Sequence, residues 1–542
     1  MQNKTQVLVI GAGPIGQGLA IELGQRSIQC VIVEKNPRIG VAPRAKTTNL
    51  RTRTHMRRWG IAKALKDASP FGAAYPSNIV FTTRLGGHLI DIFENALYCA
   101  PGRHPHYPEH SQWIPQYTVE QVMRSHLDTL PGVQVHLNHE LVGYTQSTSG
   151  VTATVRNLET GQEHAVQADY LVGCDGSRSR VREAIGAKME GNFGLSRNYN
   201  IVFKAPGMMA AHGHGPGIMY WQINADAPSI LGPMDSDDRW YFMPLGLGKD
   251  VVVTVDNAGD YIRHATGLNL PFDVLSVDEW VAHSVVADKY RDGRVFLAGD
   301  ACHLHPPFGG FGMNMGVSDG VDLGWKFAAV LQGWGGPALL DSYVQERRPV
   351  HINVLKEASY NHSKLSNSLV VPGIEDDGAA GDAARAEVSQ RIQAGKLAEF
   401  YALGTILGDR YSDSVVVQKS DAPSPPRDFL NYVPNALPGS IAPHLWLHDG
   451  SSLYDQFGKG FTLLAHQGVA AAQLAAAQKD AQRLHIPFQI AQPDNPALPS
   501  LYPHALTLVR PDQHIAWSGD AWPAAPAPNV LAMATGQLSP TT

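Results

Sequence analysis

Apolar residues fall into three patterns along the chain, and the patterns divide it. Short unbroken runs occur at Val7–Ile10, Cys30–Val33, Tyr170–Val172 and Val295–Ala298, all but the second followed by glycine. Their length and β-branched content predict strands buried on both faces of a parallel sheet. Spacing of three and four residues, as in Ile15, Leu19 and Leu23, or Val119, Val122, Met123 and Leu127, predicts helices, and Asn314 onward continues as a long one through Val321, Trp325, Ala328 and Leu331. Short alternating segments at Ile218–Ile223, Trp240–Met243 and Val251–Val255 predict an antiparallel sheet inserted into the α/β part. A strand pair at Asn78–Thr83 and His88–Phe93, and strands at Val133–Leu137 and Val151–Val155, complete the first half.

Beyond the helix expected at 339–360, Pro372–Ala384 turns acidic and Gly/Ala-rich and reads as a linker ahead of helical residues 385–406. From Pro426 a separate region follows: strand Phe461–Leu464, helix Ala470–Leu484, strand Phe488–Ile490 and strand Ala505–Val509. That order fits a small thioredoxin-like domain, but without C-x-x-C it has no redox pair. The Pro/Ala-rich tail from Pro523 reads as poorly ordered.

The first strand–helix–strand unit carries chemistry. Gly11, Gly13 and Gly16 fit G-x-G-x-x-G between strand and helix. The first glycine permits the tight turn, the second lets backbone approach a pyrophosphate, and the third lets helix pack on strand. N–H groups at the helix start favour an anion there. Glu34 closes the second strand where an acid accepts hydrogen bonds from an adenosine ribose, so the loop reads as a site for FAD or NAD(H) rather than NADPH.

Composition narrows the classes. At 542 residues the chain exceeds one core, and 44% apolar with 17% charged residues suits a well-packed enzyme. Formal charge is −6, so nucleic acid is not an expected partner. The densest basic stretch, Arg51–Arg58, reads as a solvated helix face, or as a patch that draws in an anionic substrate or a nicotinamide nucleotide. Four scattered cysteines without zinc spacing predict free thiols in a reducing cytoplasm. The apolar N-terminal stretch, interrupted by glycines, does not read as a signal peptide, and without a run of about 18 apolar residues no membrane span is expected.

The glycine loop, Asp175-Gly176, and Gly299-Asp300 with its Pro/Gly loop stand in an order that resembles the single-component FAD-dependent aromatic hydroxylases. The closest likeness is to the phenol hydroxylase and 3-(3-hydroxyphenyl)propionate hydroxylase branch. Pro43-Arg44-Ala45, Arg51-Thr52, Gln116 with Glu120, Glu346-Arg347-Arg348-Pro349 and the terminal segments PHLWLHDGSSLYDQFGKGFTLL and LVRPDQHIAW match that branch too.

The resemblance implies an α/β fold: a Rossmann-like FAD-binding domain (1–75, 116–189, 285–371), an inserted antiparallel-sheet substrate domain (76–115, 190–284), a linker and helical segment (372–425), and a C-terminal thioredoxin-like domain (426–542). Gly11, Gly13, Pro14, Ile15, Gly16, Glu34 and Lys35 would hold the ADP half of FAD. Arg44, Ala45 and Gln116 would meet the pyrophosphate and ribityl region, Asp300 after Gly299 would accept from the FAD hydroxyls, and Asp175-Gly176 would serve both FAD and nicotinamide-nucleotide use. Pro307, Gly310, Gly312, Met313 and Asn314 would line the isoalloxazine. NADPH or NADH would act as a transient reductant, and a flavin C4a-hydroperoxide would hydroxylate a small phenolic substrate with O2. A homodimer is expected.

Some relatives place an Asp two residues after the position of Arg44; here Lys46 stands there and suits an anionic substrate instead. Candidate groups for the reaction are Lys46, Tyr220, His303, Pro307 and Gly310, with His212, His214 and His305 as further possible bases. Asp322 replaces an Asn of many relatives and is expected to change only local packing. Rival readings are a flavin halogenase, whose W-x-W-x-I-P segment Tyr220–Asn224 does not match, a non-hydroxylating flavin dehydrogenase, and a catalytically silent FAD-binding subunit.

Overall fold

The buried apolar runs assemble into a central parallel sheet in the order Val295–Leu297, Glu163–Gly173, Lys4–Ile10, Cys30–Val33, Val133–His136. This is a computed structural model, and it describes all residues except 1, 38–44, 73, 249, 364–368, 421–422, 424, 525–528 and 539–542. Val7–Val9 and Val31–Ile32 are fully enclosed, as strands covered on both faces require. The helix Pro14–Gly24 packs against the long helix Phe311–Leu331 on one face of the sheet. The carboxyl ends of the parallel strands share one edge, where open α/β sheets bind ligands.

A second sheet of eight strands draws on both inserted segments. Its order is His303–Leu304, Asp273–Ala287, Met189–Lys204, Arg239–Pro244, Ser229–Pro233, Met219–Gln222, Ile79–Thr82, Leu89–Phe93. All neighbours are antiparallel except Met219–Gln222 beside Ile79–Thr82. Val251–Val255, expected as a strand, is instead the approach to helix Val255–Thr266. A capping box between Thr254 and Asn257 starts this helix, and Ala258, Ile262 and Ala265 bury its inner face on the sheet.

The segment read as a linker also folds. Gly378–Phe400 is one helix, whose Val388, Ile392 and Phe400 pack on the inserted sheet beside Phe81 and Trp221. The C-terminal sheet runs Phe488–Ala491, Phe461–Ala465, Leu506–Val509, Ile515–Gly519, with helix Ala471–Arg483 between its first two strands in sequence, which is the thioredoxin-like arrangement. Of the tail expected to be loose, residues 525–528 and 539–542 lie outside the described residues, and the part between them folds. Asn529 caps helix Val530–Ala534, and Val530, Leu531 and Ala534 enter a core with Trp325 and Trp334. Among the described residues no helix is long and apolar enough to cross a membrane.

Candidate active site

The glycine loop has one open position between two closed ones. Gly11 has φ +107°, and a side chain there would stand 2.3 Å from the Cys174 carbonyl. A Cβ at Gly16 would stand 2.0 Å from the Gly11 carbonyl. At Gly13 nothing lies within 4 Å. Fold therefore dictates the outer glycines, whereas the middle one leaves room for a ligand to approach the backbone. Pro14 opens the helix, and Gln17 is the first residue to donate back, to Gly13 at 3.0 Å. Glu34 lies at the end of the second strand, accepting from the Ala12 N–H at 2.9 Å and from Asn36, with Lys35 exposed in the turn between.

Ile15 draws distant segments together. Its side chain lies 2.8 Å from where a Gly299 Cβ would be and 2.5 Å from where a Gly316 Cβ would be. The Asp175-Gly176 turn closes on the same loop through Cys174, whose N–H donates to Ile10 at 2.8 Å. Asp175 caps helix Arg180–Ala184 through Oδ2, while its buried Oδ1 has no hydrogen-bond partner among the described residues. An orphaned acceptor beside an open glycine fits a hydroxyl-bearing ligand. Asp300 is exposed directly after Gly299, whose φ is +63°.

Behind that turn lies a buried hub that the sequence did not reveal. Asp319 accepts from the Gly299 N–H at 3.0 Å, His303 Nε2 at 2.9 Å and Arg347 Nε at 2.8 Å, and His351 Nε2 stands 3.0 Å away. Burial alone would raise the Asp319 pKa, but His351 and Arg347 outweigh it and hold the carboxylate well below its ordinary range. His351 is itself pushed down to about 3 by burial, so near neutrality Arg347 supplies the lasting charge. The signal available was three charged residues, Asp319, Asp322 and Lys326, in an otherwise apolar helix.

In the loop expected to line the isoalloxazine, Gly310 (φ +65°) leads into helix Phe311–Leu331 after Pro307. A Cβ at Gly312 would likewise meet nothing within 4 Å, and the first-turn N–H groups, Met313 among them, lie beside that space. Asn314 spends its amide on the scaffold: Nδ2 donates to Gly310 at 2.7 Å and Thr47 at 3.0 Å, and Oδ1 accepts from the Asn49 N–H at 2.9 Å. Gln116 fixes Ala45, donating to its carbonyl at 3.0 Å through the backbone and accepting its N–H at 3.2 Å. Arg44, expected beside the pyrophosphate, lies outside the described residues.

Strand alternation sorts the aromatic candidates. Phe81, Trp221, Ile230 and Tyr241 share one face with Phe308 and Trp113, whereas Val80, Tyr220, Leu231, Trp240 and Phe242 share the other with helix Val255–Thr266. Tyr220 thus points away from the flavin loop, and its hydroxyl donates to Gly215 at 2.7 Å. His212 packs edge-on to Tyr220, with His214 stacked beside it. His303 is fully enclosed by the Asp319 hub, with His305 at 3.3 Å. Lys46 is the candidate proton carrier on the inner face: Nζ lies 3.9 Å from the Tyr241 ring centroid, and burial without a compensating anion lowers its pKa to about 8.

A second buried charge cluster joins the C-terminal domain to this scaffold. Arg510 donates to Glu346 at 2.6 and 2.9 Å, to Asp512 at 2.7 Å and to Asp322 at 3.1 Å, while Lys326 bridges Asp322 and Glu346. Asp322 is therefore part of an ionic core rather than a local packing variant. Arg51 reaches Gln513 and the Asp512 carbonyl, both at 2.6 Å. Leu50–Met56 is buried throughout, so the basic stretch is not a solvated face.

A family model for an FAD binding domain matches residues 4–358, and one for the aromatic-ring hydroxylase C-terminal region matches residues 435–537. The chain is 31% identical over 540 residues to tetracenomycin B2 monooxygenase-dioxygenase of Streptomyces olivaceus, covering 95% of each. It is 30% identical to 4-methyl-5-nitrocatechol 5-monooxygenase of a Burkholderia species, over 95% of this chain and 94% of that one. The solved structure of the rebeccamycin biosynthetic enzyme RebC with reduced flavin superposes with TM-score 0.90 at 32% identity, covering 99% of both chains. With the orphaned acceptor, the two open glycines and these likenesses together, the chain belongs to the FAD-dependent aromatic-ring hydroxylases.

Proposed function

We propose that this chain hydroxylates a phenolic ring, with NAD(P)H and dioxygen as co-substrates. The observation that carries the reading is the convergence on Ile15: the glycine loop, the Gly299 turn and the long helix meet there, and the loop leading into that helix packs Phe308 on Trp221 with ring centroids 6.0 Å apart. In this reading residues 1–75, 116–189 and 285–371 form the FAD-binding domain, and 76–115 with 190–284 the substrate wall. Gly11 to Gly16, Glu34 and Lys35 hold the ADP half; Ala45, Gln116, Arg44, Asp175, Gly176 and Asp300 hold the middle; Pro307, Gly310, Gly312, Met313 and Asn314 border the ring.

Bound FAD supplies the redox chemistry that draws electrons from the nicotinamide nucleotide and activates dioxygen. The chain's own residues have two tasks. The wall of Trp113, Trp221, Tyr241 and Phe308 excludes water from the reacting ring. Lys46 holds the substrate's oxygen as an anion, since a phenolate gives electrons to an incoming oxygen more readily than a phenol. An anion within reach would restore the Lys46 charge that burial disfavours.

Four free cysteines fit a cytoplasmic setting. Exposed Phe193, Leu275 and Val281 offer apolar surface on the paired strands Met189–Lys204 and Asp273–Ala287 for a homodimer. The test is a panel of phenols: those that stimulate NAD(P)H oxidation should yield products heavier by one oxygen. Peroxide alone with every phenol would refute the substrate class.

A further inference from the structure

A groove of about 530 Å³ opens between helix Leu50–Arg58, the loop around Arg103 and Trp446 of the C-terminal domain. It is distinct from the glycine loop and from the aromatic wall, and none of the chemistry above uses it. Its volume is that of a small-molecule site. Arg53, Arg57, Lys63, Lys66 and Arg103 line it.

Three carboxylates face those five cations. Glu109 takes Arg53 at 3.0 Å and Arg57 at 2.8 Å, Asp455 takes Arg57 at 2.8 Å, and Asp67 takes Lys63 at 2.5 Å. Lys66 is exposed, and Arg103 meets the Gly450 carbonyl at 3.0 Å and the Trp446 ring at 4.8 Å; neither has an ion-pair partner among the described residues. The floor is built. Arg53 is 1% exposed, donates to Ala62 at 2.7 Å, and its buried Nε has no partner among the described residues. Burial lowers the His110 pKa, so this groove residue adds no charge near neutrality.

Excess positive charge over an arginine floor suits phosphate, and a guanidinium layered on an indole suits a planar base continuing the stack. The chemistry is that of a nucleotide carrying a terminal phosphate. Arg53 sits one helical turn beyond Asn49, its N–H donating to the Asn49 carbonyl at 2.9 Å, and Asn49 is bonded to Asn314 of the flavin loop. Groove floor and flavin loop thus meet at one helix end.

We propose that this groove seats the adenosine-phosphate end of the nicotinamide reductant and selects NADPH over NADH through the 2′-phosphate. The proposal rests on the use of NAD(P)H by this family and is independent of which aromatic compound is the substrate.

The test uses FAD-loaded full-length protein without an aromatic substrate. Adenosine 2′,5′-bisphosphate is titrated against intrinsic tryptophan fluorescence, and KM values are measured for NADPH and NADH oxidation. The expected result is a KM for NADPH about tenfold below that for NADH, with the bisphosphate competing against NADPH. The double variant Lys66→Glu/Arg103→Glu should raise the KM for NADPH about tenfold and abolish bisphosphate binding while retaining bound FAD. Lys479→Glu, on the exposed helix Ala471–Arg483, is the control and should change neither. An unchanged KM for NADPH in the double variant would overturn the site. Competition by inorganic phosphate as strong as by the bisphosphate would overturn the nucleotide assignment. If no phenol gains oxygen, the substrate reading fails while these binding results stand.

Discussion

Asp319 receives the backbone N–H of Gly299 at 3.0 Å from a helix twenty residues further along, and Arg347 anchors that carboxylate at 2.8 Å. The turn that carries Asp300, the proposed acceptor for FAD hydroxyls, is thus held by an ion pair sealed from solvent. Removing one partner of such a pair costs about 3–5 kcal/mol because the other charge is left buried.

Asp319→Asn keeps the shape but puts an NH2 where an acceptor is needed. The variant should melt lower and retain less FAD per chain than the wild type. Flavin absorbance against protein concentration, with melting followed in parallel, checks this. Full flavin content with an unchanged melting temperature would remove the hub from the account.

Two alanine substitutions in the same loop should fail differently. Gly16→Ala places a methyl 2.0 Å from the Gly11 carbonyl and should disrupt the first strand–helix unit itself. Gly13→Ala meets open space, so the chain should fold, with circular dichroism like the wild type, but lose FAD affinity by tenfold or more. Equal behaviour of the two would mean that the open space at Gly13 is not occupied by ligand.

Lys46 should impose a pH dependence. Its folded pKa of about 8 lies below its ordinary value of 10.5, so the unfolded chain binds more protons between those values. The cost of burying the ammonium is present in full below about pH 8 and is relieved as pH rises towards 10.5, so this group makes stability increase over that window. Substrate affinity moves the other way. Binding of an oxyanion should weaken as pH passes 8, and Lys46→Met should lower kcat/KM and flatten that profile. Steady-state kinetics from pH 6.5 to 9 decide it.

Arg510 ties the C-terminal domain to the FAD-binding scaffold through Glu346, Asp322 and Asp512, all buried. Arg510→Met leaves Asp322 and Glu346 sharing Lys326, and Asp512 facing His514. Burial would raise the Glu346 pKa, yet Arg510 and Lys326 hold it at about 2, so loss of the guanidinium should drive proton uptake there. The melting temperature should drop, and more steeply at pH 8 than at pH 5.5, where carboxylates are more readily protonated. A pH-independent loss would assign Arg510 a packing role alone.

The strand–loop–helix units were legible because each combines an apolar run with glycines whose backbone needs are local. Gly11 and Gly16 touch residues within the same unit or the next parallel strand. Asp319 was not legible, because its partners Gly299, His303, Arg347 and His351 come together only in three dimensions, and a polar residue in a helix ordinarily reads as surface. Arg51 and Arg53 misled for the same reason: their counter-charges or acceptors sit at Glu109, Asp512 and Gln513. Val251–Val255 has strand-like composition, but the Thr254 cap decides for a helix. In Gly378–Phe400, Gly and Ala hid the stripe of Val388 and Ile392, whose partners belong to the inserted sheet. Tyr220 was ambiguous because adjacent aromatics on one strand must face opposite ways, and only the sheet's environment says which faces the flavin.

The central claim is that one flavin, gripped where Ile15 meets Gly299 and Gly316, places oxygen on a phenolic ring against Trp221 and Tyr241. Turnover of FAD-loaded protein with NADPH, a stimulating phenol and isotopically heavy dioxygen, read by product mass, tests it most directly. The account predicts one heavy oxygen atom per product molecule. Product carrying oxygen from water, or unaltered phenol accompanied only by heavy hydrogen peroxide, would contradict it.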